Sequence, residues 1–466
     1  MLTFSLETNS KTPLYRQIYE YIKSEILSGQ LHAGDKLPSS RSLSTHLAVS
    51  RNTVEIAYEQ LLCEGYIEAF PRKGYFVGEL TYHTRFSIQK TSPETEKTIN
   101  DSVHSYRYDF SPNNVDMTPF PHSIWRRLSK EQMNDTSLFS LGHHQGDENF
   151  RQAIADYLHG SRGVNCDSSQ IIIGAGVDYL LLLLTMILDT DVRIAMENPV
   201  YQRARQIFSS ANFSIEDIPV TKNGIDLQKL KESGANCCYV TPSHQFPLGT
   251  VMPVSSRQKL LSWAEEKTDR YIIEDDHDSE FRYKGKPIPA LQGMDTGDHV
   301  IYIGTFSRAI APSIRVGYMV LPHSLYKQYQ TRCSYFACTV SRIDQARLTS
   351  FIQDGYFEKH LNRMRKVYKT KHDLVLSMLD LKHIEIGGEN AGLYLVIYLK
   401  NQTTPLMEEE ILKRADNHGI KLYSLHQYYS SIPTDYKAGF LLGFGCLSEN
   451  QLREGISLLN EKVLSD

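Results

Sequence analysis

Apolar positions near the start of the chain recur at the spacing of an α-helix. Leu14, Ile18, Ile22 and Ile26 lie four residues apart, which places their side chains on one helix face, and Gly29 ends the pattern. The residues between them are mostly polar. The pattern therefore predicts an amphipathic helix that packs through this face against other elements.

Two further helices and a hairpin are predicted directly after it. Residues 37–41, LPSSR, cap a short helical stretch that ends at Leu47, and Ser50 caps a second one that begins at Arg51. Short apolar runs on either side of residues 71–74 predict two strands joined by a tight turn. Helix, short helix, turn, helix and hairpin is the order of a winged helix-turn-helix, which we assign to residues 1–78.

The rest of the chain has another pattern, in which short apolar runs alternate with helical stretches. The predicted strands are Gln170–Gly174, Val192–Met196, Cys238–Thr241, Tyr271–Glu274, Val300–Gly304 and Gly317–Leu321. This alternation predicts an α/β domain with a mainly parallel sheet covered by helices, over residues 108–343. A long helical stretch, Phe351–Leu379, and two later strands predict a smaller α+β domain over residues 344–466. Residues 79–107 are polar and predict a flexible linker.

Composition and charge exclude several classes of protein. The chain has 466 residues, of which 41% are hydrophobic and 22% charged, as is ordinary for a globular protein of two or three domains. A net charge of −4 argues against a large basic surface, so any contact with nucleic acid must be local. The sequence shows no signal peptide and no apolar run of membrane-spanning length, and its seven cysteines are scattered. We expect a cytoplasmic protein with reduced thiols and no membrane partner.

Polar and basic side chains gather at the tips of the predicted winged helix-turn-helix. Side chains at the start of its third helix can reach base edges in the major groove, and the helix N-terminus favours phosphate oxygens. A basic wing tip suits the adjacent groove or the phosphates. The residues expected to contact DNA are Ser39, Arg41, Ser50, Arg51, Asn52, Thr53, Arg72, Lys73 and Gly74. The region also holds eight basic and eight acidic residues, so a winged helix used for protein contacts stays an alternative.

Motifs along the chain resemble those of a known family. PLYRQIYEYIKSEIL, LPSSRSLSTHLAVSRNTV and LLCEGYIEAFPRKGYFV resemble GntR-type regulators. DYLHGSRGVNCDSSQIIIGAG, ENPVYQRARQIF, TPSHQFPLGTVMPVSSRQKLLSWA and YIIEDDHDSEFRY follow in the order found in the MocR/GabR subfamily. The resemblance covers nearly the whole chain and implies a fold-type I aminotransferase-like body that senses an effector and forms dimers. It implies a double-stranded DNA operator, a second copy of the chain and a small-molecule effector as partners.

The segment IYIGTFSRAIAPSIRVGYMV resembles the cofactor-binding segment of enzymes that use pyridoxal 5'-phosphate (PLP). In those enzymes a lysine after the serine holds PLP as a Schiff base, but Arg308 occupies that position here. A guanidinium stays protonated in proteins and cannot act as the neutral amine that imine formation requires. The resemblance implies phosphate contacts at Thr305, Ser307 and Arg315, and the missing lysine predicts that PLP is not bound covalently.

Other positions of the family's pocket are kept. The resemblance places Gly176 in the glycine-rich loop that receives the phosphate and Asp275 beside the pyridinium nitrogen of PLP. It places Tyr201 as a pocket-lining aromatic residue and Arg203 as a possible contact for a carboxylate.

Several positions depart from the family's pattern. Val177 and Asp178 stand where hydroxyl or amide side chains are usual, and a carboxylate there would repel a phosphate unless it points away. His277 replaces a tyrosine that hydrogen-bonds the ring hydroxyl, and Cys446 replaces the arginine that holds the substrate carboxylate. Together these changes predict a catalytically inactive pocket. Two roles stay open for the arginine that replaces the lysine: it pairs with Asp275, or it binds an anionic ligand.

Two groups of residues raise the question of a metal. His143 and His144 are adjacent, and Glu274, Asp275, Asp276 and Asp278 form an acidic run. Acidic runs are common at strand ends, so we expect no metal site from the sequence.

Three functions follow from these observations. We expect a sequence-specific transcription regulator whose body is not an enzyme and serves as an effector-sensing or dimerisation module. One alternative is a regulator that binds PLP or pyridoxamine phosphate noncovalently through Arg315, Ser307 and Asp275. Another is a PLP-dependent aminotransferase fused to a DNA-binding domain, against which the missing lysine argues.

Overall fold

The computed structural model describes residues 6–7, 12–79, 106–283, 288–400 and 404–465. The chain divides into two compact units, Met1–Ser102 and Val103–Asp466, which we call the module and the body. The linker predicted for residues 79–107 lies outside the described residues except for Glu79, Tyr106 and Arg107. The predicted domain boundaries stay predictions.

The module consists of three helices and a hairpin. Its elements are α1 (Leu14–Leu27), α2 (Ser40–His46), α3 (Arg51–Cys63), β1 (Ile67–Phe70) and β2 (Gly74–Val77). The apolar face predicted for α1 is confirmed, since Ile18 and Ile22 are fully buried in one core with Val54, Tyr58 and Leu61. Strands β1 and β2 pair antiparallel. The module is therefore a winged helix-turn-helix, as the sequence predicts.

Serine side chains fix the starts of α2 and α3. Ser39 Oγ accepts a hydrogen bond from the backbone N–H of Ser42 at 3.1 Å. Ser50 Oγ accepts one from the backbone N–H of Thr53 at 3.2 Å. Each cap satisfies a backbone donor that the helix leaves unpaired, so both predicted caps are confirmed.

The body alternates strands and helices along most of its length. Its helices are α4 (His122–Gln132), α5 (Glu148–Arg162), α6 (Val177–Ile187), α7 (Gln202–Ser210), α8 (Leu227–Glu232), α9 (Val254–Glu265), α10 (His323–Arg332), α11 (Arg342–Gln353), α12 (Tyr356–Met378), α13 (Pro405–Asn417) and α14 (Glu449–Leu458). Its strands are β3 (Tyr108–Asp109), β4 (Ile171–Gly174), β5 (Arg193–Asn198), β6 (Ser214–Thr221), β7 (Gly224–Ile225), β8 (Cys237–Val240), β9 (Tyr271–Asp275), β10 (Val300–Thr305), β11 (Gly317–Val320), β12 (Ile384–Gly387), β13 (Tyr394–Leu399), β14 (Ile420–Lys421), β15 (Tyr423–Ser424) and β16 (Gly439–Gly443). No described helix is both long and apolar enough to cross a lipid bilayer.

An eight-stranded sheet in the order β4-β11-β10-β9-β8-β5-β6-β7 forms the centre of the body. Its five middle strands, from β10 to β6, run parallel, and β11 and β7 are antiparallel to their neighbours. Ile172 belongs to a core with α6, α7 and α10, whereas Ile171 and Ile173 belong to a core with α4, α5 and α11. Since successive residues of a strand point to opposite faces, helices cover both faces of the sheet. The body is an α/β fold with a mainly parallel sheet, as predicted.

The C-terminal part contains an antiparallel sheet of four strands in the order β12-β13-β16-β15. Leu395 of β13 packs there with Ile411 of α13 and Ile456 of α14. Tyr108 and Phe110, which the sequence assigned to the large domain, are buried in this same core. The first residues of the body therefore pack with its C-terminal sheet.

The single long helix predicted for Phe351–Leu379 is wrong. α11 ends at Gln353, α12 begins at Tyr356, and Gly355 between them has a φ of 72°. A residue in the left-handed region ends an α-helix, and glycine adopts this region without steric cost. The helical pattern of apolar residues continues on both sides of the break, so the pattern alone did not show it.

Three loops meet at one edge of the central sheet. They follow the carboxyl ends of β4, β9 and β10, which point the same way because β4 and β10 are both antiparallel to β11. In open α/β sheets, ligands bind at this edge. These loops carry most of the residues that the sequence assigned to the pocket, and Tyr201 and Arg203 follow β5.

Candidate functional site

The start of α3 is exposed and polar. Ser50, Arg51 and Asn52 are exposed and Thr53 is half-buried. The Ser50 hydroxyl lies 2.7 Å from that of Thr53 in addition to capping the helix. The structure therefore brings these four residues to one helix end, from which side chains of this kind can reach base edges.

Arg51 is ion-paired within the same helix. Its Nε lies 2.8 Å from Glu55 Oε1, and the two side chains are 65% and 36% exposed. An exposed pair of this spacing contributes only about 0.3–0.5 kcal/mol. A DNA phosphate can therefore replace Glu55 as the partner of Arg51.

The other predicted DNA contacts also lie at exposed tips of the module. Ser39 and Arg41 are exposed at the start of α2, and Arg72 and Lys73 are exposed in the turn between β1 and β2. Gly74 has a φ of 104°, and Arg72 has a φ of 65°. The backbone of this turn thus holds both basic side chains at the tip of the wing. Their contact with DNA stays a prediction.

A cavity of about 350 Å³ lies in the body, where the loops after β4, β9 and β10 meet. The predicted positions that line it are Tyr201, Arg203, Asp275, His277, Thr305, Ser307, Arg308 and Arg315. Residues that the sequence did not single out line it as well, namely Asn113, Asn114, Thr241, Phe246, Pro312 and Glu280. These residues therefore lie around one cavity, and their role in binding a ligand stays a prediction.

Arg308 is held by two side chains. Its Nη1 lies 2.8 Å from Asp278 Oδ1 and 2.9 Å from Asp278 Oδ2, and its Nη2 donates to Asn113 Oδ1 at 2.8 Å. The Asp278 side chain is fully buried and that of Arg308 is 13% exposed. The pairing considered between Arg308 and Asp275 is wrong, because the backbone turns at Asp278, with a φ of 56°, and presents a different carboxylate.

Asp275 ends β9 and accepts a hydrogen bond from the Tyr239 hydroxyl at 2.5 Å. Burial raises the pKa of Asp275 to about 6, although the hydrogen bond from Tyr239 and the charge of Arg308 oppose this shift. The carboxylate is thus still largely ionised at neutral pH. It can pair with a protonated ring nitrogen, as the resemblance implies.

The glycine-rich loop before α6 packs directly on Arg315. A Cβ on Gly176 would lie 2.9 Å from Arg315 Cζ, so a larger residue would displace the guanidinium. Gly176 has a φ of 88° and Arg315 a φ of 48°. Gly176 lies beneath the cavity and supports Arg315 rather than lining the cavity among the described residues.

Asp178, in the first turn of α6, is paired with both exposed arginines of the cavity. Its Oδ2 lies 3.3 Å from Arg315 Nη2 and 3.6 Å from Arg203 Nη1. The Tyr201 hydroxyl donates to its Oδ1 at 3.4 Å. The carboxylate therefore does not point away from the predicted phosphate position and neutralises the arginines that would bind a phosphate.

The hydroxyls of Thr305 and Ser307 take part in local hydrogen bonds. Thr305 Oγ1 donates to the backbone oxygen of Val316 at 3.1 Å and lies 3.1 Å from Ser307 Oγ. The backbone N–H of Ser307 donates to Thr305 Oγ1 at 3.1 Å. These bonds hold the turn after β10 and leave the Ser307 hydroxyl at the cavity.

Two histidines lie beside the cavity. Burial lowers the pKa of His277 to about 3 and that of His244 to about 4, so both imidazoles are neutral at pH 7. Their rings are nearly parallel, with centroids 6.1 Å apart. Phe246 and Tyr394 pack around them. His277 thus lies in an aromatic environment where the family has a tyrosine.

The loop after β9 is fixed by a buried ion pair. Arg162 donates from Nε and Nη2 to the two carboxylate oxygens of Asp276, each at 2.9 Å. Tyr302 and Ser279 donate to the same carboxylate. Burial favours the neutral form, but these partners hold the pKa of Asp276 below its usual range. This anchor positions His277 and Asp278 at the cavity.

Several functional neighbours were missed from the sequence. His244 lies in the motif TPSHQFPLG and Asp278 in DDHDSE, so both stretches were noticed, but nothing in the sequence places these two residues together. Asn113, the second partner of Arg308, comes from the start of the body, 195 positions away. Cys446 is half-buried, donates to the backbone oxygen of Asp109 at 3.6 Å, and is not among the described residues that line the cavity.

Comparison with protein families covers both units. Residues 14–77 match the family described as bacterial regulatory proteins, gntR family, and residues 109–428 match aminotransferase class I and II. The chain therefore belongs to the helix-turn-helix regulators in which a GntR-type module precedes an aminotransferase class I and II body. The resemblance to the MocR/GabR subfamily is confirmed by its relatives.

Three curated relatives span nearly the whole chain. YdeL of Bacillus subtilis (strain 168), described as an uncharacterized HTH-type transcriptional regulator, is 42% identical over 96% of this chain and 96% of its own. MocR of Rhizobium meliloti, a probable rhizopine catabolism regulatory protein, is 33% identical over 99% of this chain and 96% of its own. PdxR of Corynebacterium glutamicum, an HTH-type pyridoxine biosynthesis transcriptional regulator, is 31% identical over 99% of this chain and 98% of its own.

Solved aminotransferases share the fold of the body. The kynurenine aminotransferase of Pyrococcus horikoshii superposes with a TM-score of 0.68 and 25% identity, over 77% of this chain and 91% of its own. The multiple substrate aminotransferase of Thermococcus profundus gives a TM-score of 0.67 and 25% identity, over 80% of this chain and 94% of its own. The body therefore has the fold of PLP-dependent enzymes.

Proposed function

We propose that this protein is a sequence-specific transcription regulator that binds a double-stranded DNA operator through its module. Its aminotransferase-like body serves as an effector-sensing and dimerisation module and does not catalyse transamination. The exposed polar start of α3 and the basic wing support DNA binding, and the relatives' names support regulation. The protein acts in the cytoplasm.

The state of Arg308 is the observation that carries the proposal for the body. A Schiff base with PLP needs a neutral primary amine, and a guanidinium cannot supply one. Arg308 is also engaged by Asp278 and Asn113, at 2.8 Å each, and thus has a structural role in the cavity. These residues do not fit a PLP group held covalently.

The position of Asp178 also argues against a PLP group bound through its phosphate. A phosphate dianion in the predicted position would face the Asp178 carboxylate, which already neutralises Arg315 and Arg203. By contrast, Asp275 and Ser307 keep positions suited to a ring nitrogen and a phosphate. The cavity therefore suits a small effector bound without a covalent bond.

Exposed apolar side chains on the body support a homodimer. Leu141 is 80% exposed, Tyr335 is 75% exposed and Phe139 is 60% exposed. Large apolar residues in water are stabilised when a partner covers them. A second copy of the chain is the partner that the family resemblance implies.

DNA binding is tested by selecting bound sequences from a random double-stranded library with the full-length protein. We expect one enriched sequence, with an affinity that falls steeply as salt rises. Arg51→Ala should lose the enrichment, whereas Arg16→Ala, on the exposed face of α1, should keep it. Equal binding to all sequences would contradict the proposal.

Covalent binding is tested by adding PLP, reducing with borohydride and searching for a modified lysine by peptide mass spectrometry. We expect no modified lysine in the cavity of the natural protein. Arg308→Lys serves as the positive control, because it supplies the missing amine. A borohydride-sensitive visible absorbance band in the natural protein would overturn this part of the proposal.

A second candidate is noncovalent binding of PLP or pyridoxamine phosphate, supported by Asp275, Ser307 and Arg315 at the cavity. Calorimetry would show saturable uptake of pyridoxamine phosphate without a visible band. Heat of binding that persists in Asp275→Asn would place the ligand elsewhere.

A further inference from the structure

Two imidazoles beside the cavity have ring nitrogens without a hydrogen-bond partner. His244 is 0% exposed, and neither Nδ1 nor Nε2 finds a partner in the part of the chain that the structure describes. His277 Nδ1 is buried and also lacks one there. A buried polar atom left unpaired costs about 1–3 kcal/mol. A ligand that binds these nitrogens would remove this cost.

A carboxylate completes the group. Each of three residues, His244, His277 and Asp278, offers one ligand atom, and these three atoms lie within 4.8 Å of one another. Donor atoms around one tetrahedral Zn²⁺ lie about 3.3 Å apart, given zinc–ligand distances of about 2.0–2.1 Å. The three atoms therefore need to approach by at most about 1.5 Å to reach a common ion.

We propose that His244, His277 and Asp278 bind one divalent transition-metal ion, with Zn²⁺ as the best match. Two imidazole nitrogens favour zinc, cobalt or nickel over magnesium and calcium, which take oxygen ligands. His277 and Asp278 line the cavity, so the remaining coordination position faces it and can bind a donor atom of an effector. The site goes beyond the proposed function and does not depend on DNA binding.

The chemistry of the three groups suits a transition-metal ion. Each imidazole can offer a nitrogen lone pair, and the carboxylate can offer an oxygen. The ion would thus meet two imidazole rings and one carboxylate.

Arg308 competes with a metal ion for the carboxylate of Asp278. A carboxylate has about four lone-pair positions, so Asp278 can bind an ion while it keeps the guanidinium that now contacts both of its oxygens. The carboxylate of Asp275 lines the same cavity and interacts with the charge of Arg308, so it offsets part of the added positive charge. Arg308 therefore lowers the affinity of the site for a metal ion without preventing binding.

His360 provides a matched control within the chain. It is 4% exposed and its two ring nitrogens also lack hydrogen-bond partners among the described side chains. In the described ranges, the metal-binding group contains His244, His277 and Asp278, and His360 is not part of it. Loss of an unpaired buried imidazole can therefore be separated from loss of a metal ligand.

The test uses the full-length protein after treatment with a chelator and dialysis. ZnCl₂ is titrated by calorimetry, and CoCl₂ is titrated by visible absorbance, which becomes intense in a tetrahedral site. We expect one ion per chain and a loss of affinity of at least about 10-fold in His277→Gln. His360→Gln should leave both titrations unchanged. Far-UV circular dichroism verifies that each variant is folded.

Two results would overturn the metal site. One is the absence of saturable Zn²⁺ and Co²⁺ binding in the natural protein. The other is binding that His277→Gln leaves unchanged, which would place the ion elsewhere. Both outcomes leave the operator selection unaffected, so failure of the metal site is distinguishable from failure of the regulator proposal.

Discussion

Asp178 stands in the first turn of α6, ion-paired with Arg315 and Arg203. A helix N-terminus favours an anion, so this carboxylate gains from the helix dipole as well as from the two guanidinium groups. In an aminotransferase the phosphate of the cofactor takes that role. The side chain thus acts as an internal counterion that lowers the attraction of the cavity for other anions.

Replacing Asp178 by serine should increase the affinity for pyridoxamine phosphate. The substitution removes one like charge from the phosphate position and frees both arginines, for which we expect a gain of about 10-fold, or about 1.4 kcal/mol. Calorimetry measures this gain in affinity for pyridoxamine phosphate. Asp217→Ser is the control, because Asp217 is paired with Arg205 at 3.0 Å in the same way but does not line the cavity among the described residues. An equal gain in both variants would refute the argument.

Replacing Arg308 by methionine should destabilise the body. It leaves the fully buried Asp278 carboxylate without its partner, which costs about 3–5 kcal/mol. Both tryptophans, Trp125 and Trp263, lie in the body, so urea unfolding followed by their fluorescence reports on that unit.

Two further variants show whether the loss of stability in Arg308→Met comes from the unpaired carboxylate of Asp278. Arg308→Met combined with Asp278→Asn should recover most of the loss, because no buried charge is left unpaired. Arg203→Met, whose side chain is 69% exposed, should cost less than about 1 kcal/mol. All titrations contain a chelator. A small effect of Arg308→Met would show that Asp278 is neutral or paired without it.

At the scale of helices and strands, the features that the sequence predicted correctly are those determined by local residue patterns. The caps at Ser39 and Ser50 and the strands β4, β5 and β8 to β11 were found, because serine capping and buried apolar runs are local signals. Strand β6 was missed because its residues do not alternate regularly: the acidic Glu216 and Asp217 are consecutive, and Pro219 argues against a strand. The break at Gly355 was missed because the helical period continues across it.

The site was predicted less completely than the fold. Motif order placed Arg308, Asp275 and Arg315 in one pocket, and all three line one cavity in the structure. The pairing of Arg308 with Asp278 depends on a left-handed backbone at Asp278, which no sequence signal marks. His244 lies in a loop after β8, and the tertiary fold alone brings its ring beside that of His277.

Gly355 allows a prediction on backbone conformation alone. A Cβ there would meet no atom within 4 Å, but the φ of 72° penalises an L side chain. We expect Gly355→Ala to destabilise the body by about 1–2 kcal/mol. Gly160→Ala, which also meets no atom but lies within α5, should stabilise it by up to about 1 kcal/mol. Tryptophan fluorescence in urea measures both, and shifts of the same sign would contradict this account.

At the scale of the whole molecule, charge is unevenly distributed. The chain carries a net charge of −4, and residues 1–78 hold eight acidic and eight basic residues. The basic residues predicted to contact DNA lie at exposed loop tips and helix starts, whereas Glu64 is ion-paired with Lys23 at 2.8 Å. Affinity for DNA must therefore come from a few contacts, and removing any one of them should have a measurable effect.

Two substitutions in the module should separate phosphate contacts from base contacts. Lys73→Ala at the wing tip removes one phosphate contact, which reduces the slope of log K against log salt by about 1 and weakens all sequences equally. Asn52→Ala removes the proposed base contact, which should cost about 1–3 kcal/mol on the selected operator and relax its sequence preference while the slope stays the same. Arg16→Ala is the control, because Arg16 is paired with Glu20 on α1 and should change neither quantity. Fluorescence anisotropy with the selected operator and a scrambled duplex measures both quantities across a salt series. The contrary result would be a smaller salt slope in Asn52→Ala together with a relaxed sequence preference in Lys73→Ala. In that case the wing and not α3 would read the bases, and the proposed docking of α3 in the major groove would be wrong.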